Sequence, residues 1–419
     1  MKLGVIADDF TGATDIAGFL VENGIQTIQI LNEPGEDVDI QADAYVVSLK
    51  SRSCPPEEAV GMSLRTLEWL LWKKCTHIYF KYCSTFDSTR EGNIGPVADA
   101  ILKRLGEKMT VVCPALPVNG RTVYQGYLFV YDQLLNESGM KNHPVTPMLD
   151  AKVGRILGSQ TNGKIGEVGT FLIENGPEAV KNRLAELKAH GCRYAVLDTL
   201  NDAHLDCLAK AVQDFRFLTG GSGLAAGLAR LWRSKGPAEE KAENSARPSR
   251  NKTVILSGSC SLATNRQVTR YKERASSIFI DAWKIIHEPG YIEEIVRWTE
   301  QHLNEKYAPM LYATKTPEEL SKSKEEFGDN SVGGMIESFF GSLALRFMEV
   351  GVRNFIVAGG ETAGKIVQSM KLKAFFIGPQ IAPGVPWTKS VDRDVYLALK
   401  SGNFGDDDFF RKAQEFFDD

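Results

Sequence analysis

Little in this sequence points to a membrane or an oxidising compartment. No apolar stretch reaches the ~18 residues that a membrane-spanning helix needs. Met1 and Lys2 run directly into Leu3-Gly4-Val5-Ile6-Ala7, which reads as a strand, so no secretory leader is expected. The seven cysteines (54, 75, 83, 113, 192, 207 and 260) are scattered, odd in number and free of any C-x-x-C pair. That spacing fits reduced thiols in the cytoplasm better than disulfides or a zinc site. A basic surplus is missing too: 49 Lys and Arg against 53 Asp and Glu give a net charge of −4, which argues against a nucleic-acid partner. No internal repeat of fixed period is visible. What the chain does have is length, since 419 residues exceed what one core serves and imply two domains.

One boundary is plain. Residues 234–250 are rich in Lys, Glu, Ala, Pro and Ser and carry no large apolar side chain, so burial cannot offset their ordering entropy. The expected organisation is a domain over residues 1–235, a linker over 236–251 and a second domain over 252–419. Both halves alternate strand and helix candidates. Apolar runs at 3–7, 44–48, 77–80, 109–112, 193–197 and 216–218 read as strands, as do 253–256, 277–280, 309–312, 354–358 and 374–377. Between them lie helical stripes such as Ile16/Phe19/Leu20 and Val60/Leu64/Leu67/Leu71. Repeated βα units predict an α/β fold of two domains, each a mostly parallel sheet flanked by helices. Ligands in such folds sit beyond the carboxyl ends of strands, here expected in a cleft between the domains.

The polar clusters fall at those strand ends. Asp8-Asp9-Phe10-Thr11 follows the first strand, and two adjacent carboxylates there can accept a hydroxyl proton or orient a metal. Asp9 or Thr11 can equally serve as a helix cap. Arg52, after the strand at 44–48, can clamp a carboxylate bidentately; the alternative is a surface arginine beside a Ser53 cap for the helix starting at Pro55-Pro56-Glu57. Lys81 through Thr89 combines a lysine, small hydroxyls (Ser84, Thr85, Ser88) and Asp87, a mixture suited to a polyhydroxylated anion. Cys83 reads as a small buried side chain, not a nucleophile. Asn119-Gly120-Arg121 fits a tight turn and places a second candidate anion clamp. His143 is a lone histidine in a polar loop and reads as structural.

The second half carries two phosphate-type turns. Gly359-Gly360-Glu361-Thr362 leads from a buried strand into a helix start, and Ser257-Gly258-Ser259 does the same after the strand at 253–256. A helix N-terminus reached through glycines presents backbone N–H groups to an anion at the positive end of the helix dipole. Two look-alikes are weaker. Gly221-Ser222-Gly223-Leu224-Ala225-Ala226 matches G-x-G-x-x-A, but the charged linker stands where that fingerprint needs a strand ending in an acid. Gly359 to Lys365 matches G-x-x-x-x-G-K, but Ile366 stands where a P-loop needs Ser or Thr.

Taken in order, these motifs resemble the four-carbon acid sugar kinase family along essentially the whole chain. Asp8-Asp9-Phe10-Thr11-Gly12, the Lys81–Thr89 run and Asn119-Gly120-Arg121 are similar to that family's sugar-acid-binding domain. Ser257-Gly258-Ser259, Gly359 to Thr362, Gly384-Val385-Pro386-Trp387 and the run from Lys400 to Gly405 are similar to its nucleotide-binding domain. Tyr82 to Thr89 and Asn142-His143-Pro144 look most like the members acting on 3-oxo-tetronate. The resemblance implies ATP-dependent phosphorylation of the terminal 4-hydroxyl of that acid, with ATP contacts at Ser257, Gly359, Gly360, Glu361, Thr362 and Gly402. The residues themselves offer Asp9 or Asp87 as the base, and Asp8, Arg52, Lys81, Ser84, Ser88, Asn119 and Arg121 as acceptor-site residues. Mg²⁺ is expected with the nucleotide, its ligands unassigned. The expected partners are a small sugar acid and ATP, with no nucleic acid or membrane and a homo-oligomer left open. A D-threonate or D-erythronate kinase, an NAD(P)-dependent sugar-acid dehydrogenase and a catalytically silent sugar-acid sensor are the alternatives.

Overall fold

The computed structural model describes residues 2–35, 40–142, 146–232, 246–248, 250–315 and 331–416. His143 and Pro144, and most of the expected linker, lie outside the described residues. The chain divides into two compact units, Met1–Ala242 and Glu243–Asp419.

In the first unit the strands are β1 (Leu3–Ala7), β2 (Thr27–Leu31), β3 (Ala44–Ser48), β4 (His77–Lys81) and β5 (Thr110–Cys113). They are followed by β6 (Arg121–Tyr124), β7 (Tyr127–Val130), β8 (Gln133–Leu134), β9 (Lys164–Val168), β10 (Cys192–Leu197) and β11 (Phe217–Gly220). Eight of them form a parallel sheet in the order β2-β3-β1-β4-β11-β5-β10-β9. A separate antiparallel sheet, β6-β7-β8, grows from the loop after β5. The strands β1 and β3 are buried along their whole length, as expected for a sheet covered on both faces.

The helix Pro56–Trp72 forms where its apolar residues predict one, but its buried row is Ala59, Ser63, Thr66, Leu67 and Leu70. Val60, Leu64 and Leu71 only flank that row. The cause is close approach: Leu70 lies over Gly4 of β1, and small residues on the inner face let the helix sit that near the sheet. Ser53 is not this helix's cap. Pro55 holds that position without a side-chain bond, and Pro56 starts the helix with its φ already fixed.

The second unit contains β12 (Thr253–Ser257), β13 (Ser277–Phe279), β14 (Met310–Tyr312), β15 (Asn354–Ala358), β16 (Ala374–Ala382), β17 (Val385–Ser390) and β18 (Tyr396–Lys400). Their order is β13-β14-β12-β15-β18-β17-β16, parallel through β18 and antiparallel beyond it. Trp387 is fully buried in a cluster with Ile255, Ile356, Ala398 and Phe410, and its indole N–H donates to Ala413 O at 3.0 Å. The Gly384–Trp387 run is therefore core.

Both parallel sheets reverse their winding direction next to their first strand. After β1 the chain adds β2 and β3 on one side, then β4 on the other. After β12 it adds β13 and β14 on one side, then β15 on the other. At such a switch the following loops diverge and leave a crevice at the carboxyl ends of the strands.

Candidate functional sites at the two switch points

Register fixes which residues reach the first crevice. Ala7 pairs with both Ser48 and Lys81, and Lys81 with Gly220, so these strands end on one line. Asp8 directly follows β1, and the loop after β3 brings Ser51 and Arg52 to it, their backbone N–H groups donating to Asp8 O at 3.0 and 3.2 Å. Arg52 forks onto Asp8, with Nε donating to Oδ2 at 2.9 Å and Nη2 to Oδ1 at 2.8 Å. Nη2 also reaches Asp9 Oδ1 at 2.9 Å, and Nη1 stands 4.0 Å from Asp87 Oδ2. Burial would lower the Arg52 pKa, but Asp8 and Asp9 outweigh it and hold the guanidinium charged. Arg52 is thus the hub of three carboxylates, not a surface side chain.

Asp9 does two things at once. It caps the helix Phe10–Glu22, accepting from Gly12 N at 2.8 Å, and it stays in the charged cluster. Burial raises its pKa, helped by Asp8 and opposed by Arg52, Lys81 and the Gly12 N–H; the net direction is upward. Gly12 is needed here, because a Cβ would stand 2.5 Å from Asp9 Oδ1 and 2.8 Å from Lys81 Nζ. Lys81 is buried and donates to Tyr82 O at 2.8 Å.

The loop after β4 is bent by Phe86, a buried residue with φ of 50°. A left-handed backbone at a bulky residue is uncommon, and packing holds it: Phe86 lies edge-on to Tyr82 at 5.3 Å. The bend brings Thr85 Oγ1 onto Asp87 Oδ1 at 2.6 Å. Ser88 is buried and accepts from Gln160 Nε2 at 2.8 Å, while Ser84 stays half-buried. Burial pushes the Cys83 thiol up to about 11. Asn119 and Arg121 flank Gly120, whose φ of 70° and contact with the Tyr131 ring exclude a side chain. Arg121 donates to Asn119 O and stacks 5.6 Å from the Tyr131 ring centre.

Two participants escape a reading of the sequence. Asp15 is buried and accepts from Ser222 Oγ, while its Oδ1 has no hydrogen-bond partner. Burial raises its pKa, against the charges of Lys81 and Arg121. Ser222 opens the helix Ser222–Trp232, inside the G-x-G-x-x-A look-alike. The glycines there serve packing: Cβ atoms at Gly221, Gly223 and Gly227 would strike the carbonyls of Pro114, Ala115 and Leu205.

The second crevice repeats the arrangement. Ser257 pairs with Ala358, and Ala358 with Lys400, so β12, β15 and β18 end side by side. Gly258 N and Ser259 N both donate to Ala358 O, at 3.0 and 3.2 Å, and Gly359 N donates to Lys400 O at 3.0 Å. Gly359 has φ of 124°, open to glycine alone, and turns the chain into the helix Gly360–Ser369. Cβ atoms at Gly360 and Gly364 would meet nothing within 4 Å. Glu361 is exposed and Thr362 buried. A second helix, Leu262–Lys272, starts beside the first, capped by Ser261. Ser257 is fully buried with its hydroxyl on Thr314 Oγ1 at 2.8 Å. Gly402 lies against Ser259 and Ser261, its carbonyl accepting from Ser261 Oγ at 2.6 Å and Thr264 Oγ1 at 2.8 Å. Lys365 is on the same helix as Gly360, a half-buried residue with no part in the turn.

Fold and sites together define a protein with one sheet edge lined by acids and bases and another by paired helix N-termini. Family models agree: a sugar-binding N-terminal domain matches residues 3–228 and a nucleotide-binding C-terminal domain matches residues 254–410. The chain belongs to the four-carbon acid sugar kinase family. A 3-oxo-tetronate kinase of Actinobacillus succinogenes is 53% identical over 418 residues, covering 100% of both chains. Another, from Brucella melitensis, is 51% identical over 99% of this chain and 95% of its own. A solved Salmonella typhimurium chain has a TM-score of 0.94 and 47% identity, covering 99% of this chain and 98% of that one.

Proposed function

We propose that this protein is an ATP-dependent kinase that phosphorylates the 4-hydroxyl of 3-oxo-tetronate, giving 3-oxo-tetronate 4-phosphate in sugar-acid catabolism. The observation that carries this reading is full-length identity near half to relatives of that name; an acid–base cluster and a pair of helix N-termini at the two switch points support it.

In this reading the acceptor lies at the Asp8–Arg52–Asp87 edge. Lys81 and Arg121 counter its carboxylate, since the Arg52 fork is taken by Asp8. Ser84 and Asn119 serve its hydroxyls, and Ser88, buried against Gln160, supports the loop. Asp9, with its raised proton affinity, accepts the 4-hydroxyl proton as that oxygen attacks the γ-phosphorus and ADP leaves; Asp87 orients the hydroxyl. The triphosphate lies over the backbone N–H groups of Cys260, Gly360, Glu361 and Thr362, since those of Gly258, Ser259, Ser261 and Gly359 donate within the fold, with Gly402 closing one side and Ser257 supporting the turn from below. Glu361 contributes through its main-chain N–H, its side chain being exposed.

Among the described residues no group of three or more His, Cys, Asp or Glu is placed to hold a metal. Mg²⁺ would come with ATP as its chelate and would neutralise phosphate charge there. Seven free thiols fit the reducing cytoplasm, and among the described residues no helix is long and apolar enough to cross a membrane.

The test is ADP release measured across both 3-oxo-tetronate enantiomers, D-threonate and D-erythronate. Turnover of a 3-oxo-tetronate well above the other two is expected. Preference for threonate or erythronate would reassign the substrate, and no ADP from any of them would overturn the kinase.

A further inference from the structure

Lys400 ends β18 and is 1% exposed, yet its three hydrogen-bond acceptors are neutral: Thr264 Oγ1 at 2.9 Å, Gly402 O at 3.0 Å and Ser401 O at 3.2 Å. A buried ammonium without an anion is costly, and such a group is ordinarily paired. Carboxylates are close in sequence but engaged elsewhere. Asp406 pairs with Lys412, Asp407 with Arg266 at 2.9 Å and Asp408 with Arg270 at 2.7 Å, all at the surface. Among the described residues, the elements packed around Lys400 present no other charge to it: the helix Gly360–Ser369 also packs on β18, but its Glu361 and Lys365 interact with Glu337. The helix Leu262–Lys272 offers Thr264, the helix Phe409–Glu415 offers the Phe409 ring at 5.8 Å, and the loop before Leu262 offers Ser261 through the shared Gly402 carbonyl. Cys260 on that loop accepts from Lys315 N instead.

The position is as telling as the missing partner. Lys400 stands on the strand-end line with Ser257 and Ala358, and its ammonium joins the Gly402 carbonyl to Thr264, one turn into a helix whose N-terminus flanks the phosphate-type turns. Burial drops its pKa from 10.5 to about 7, so the side chain is poised to change charge near neutrality.

We propose that Lys400 is a positioning residue of the nucleotide site that holds the Gly402 loop on the Leu262–Lys272 helix and becomes charged when a nucleoside polyphosphate binds, coupling nucleotide binding to uptake of a proton. The inference rests on the assignment of ATP to this sheet edge. The approaching polyphosphate supplies an anion that the described residues do not, which favours the ammonium over the amine. The proton comes from solvent, and no covalent bond changes.

Calorimetric titration of ATP with saturating Mg²⁺ at pH 8, in buffers of different ionisation enthalpy, counts the protons taken up. The wild type should take up nearly one per nucleotide, and the uptake should shrink towards pH 6. Lys400→Met should bind ATP at least tenfold more weakly and take up none. Lys400→Arg, permanently charged, should bind without uptake and with an affinity insensitive to pH between 6.5 and 8.5. Uptake persisting in Lys400→Arg, or a wild type that binds ATP without it, would overturn the role of Lys400 and leave the kinase intact. A wild type that binds no ATP would overturn both. If Lys400→Met fails to fold, the wild type and the arginine variant decide between these outcomes.

Discussion

The Thr362 hydroxyl occupies the space that any side chain at position 258 would enter. The strand-end turns of β12 and β15 are thus fitted to each other atom against atom, although 104 residues separate Gly258 from Thr362 in the sequence. Gly258→Ala should displace Thr362 and the first turn of its helix. We expect a tenfold or greater loss of ATP affinity, equivalent to about 1.4 kcal/mol, with sugar-acid binding unchanged. Separate titrations of the two ligands check it.

Asp9→Asn and Asp87→Asn should differ in kind. Removing the proton acceptor should lower kcat by about 10²-fold or more, with KM for the sugar acid changing little. Asp87→Asn keeps an oxygen for Thr85 and should cost less. Near-normal turnover in both variants would move the base elsewhere.

In the proposed role Asp9 must be ionised to take the proton, and its pKa lies above the ordinary 3.8. The kcat profile should therefore rise with pH through an apparent value above 3.8, and that acid limb should vanish in Asp9→Asn. The same shift predicts the sign for stability. A carboxyl whose folded pKa is raised favours the fold most below 3.8 and loses that contribution as pH rises through the folded value. Thermal unfolding of Asp9→Asn against wild type should show a gap that grows in the variant's favour across this window.

For Lys400 the sign is opposite. Between pH 7 and 10.5 the unfolded chain binds the proton and the folded chain does not, so wild-type stability gains with rising pH. Lys400→Met should be more stable than wild type by several °C at pH 7, and the difference should narrow towards pH 10. Melting curves at four or five pH values are sufficient.

Cys83 sits beside Asp87, Arg52 and Lys81 with a thiol pushed up to about 11. It should resist iodoacetamide at pH 7.5, and Cys83→Ala should retain most activity. Rapid inactivation by alkylation at this residue would contradict the burial that raises it.

Much of the architecture was readable because buried parallel strands are short apolar runs, and the register that joins them is local. The strand at 354–358 and the glycine turn after it appear where expected. The clusters at Asp8, Arg52 and Lys81 were found because strand ends concentrate polar residues. Their partnership was not readable: 44 residues separate Arg52 from Asp8, and only sheet order brings them together. Asp15 looked like one more helical residue, since its partner Ser222 lies 207 positions away. The Pro56–Trp72 stripe was misjudged by one position because size marks an apolar face in sequence, whereas small Ala59 and Ser63 mark it in space. Lys400 carried no signal beyond its motif, since burial without a counter-ion is a property of the folded neighbourhood alone.

The shared finishing line of β12, β15 and β18 constrains how this lobe can change over evolutionary time. A single inserted residue within any of the three would move its loop by one step and turn alternate side chains to the opposite face. Length variation among descendants of this chain should accumulate at the far, amino-terminal margins of these strands, leaving the carboxyl-end margin uniform.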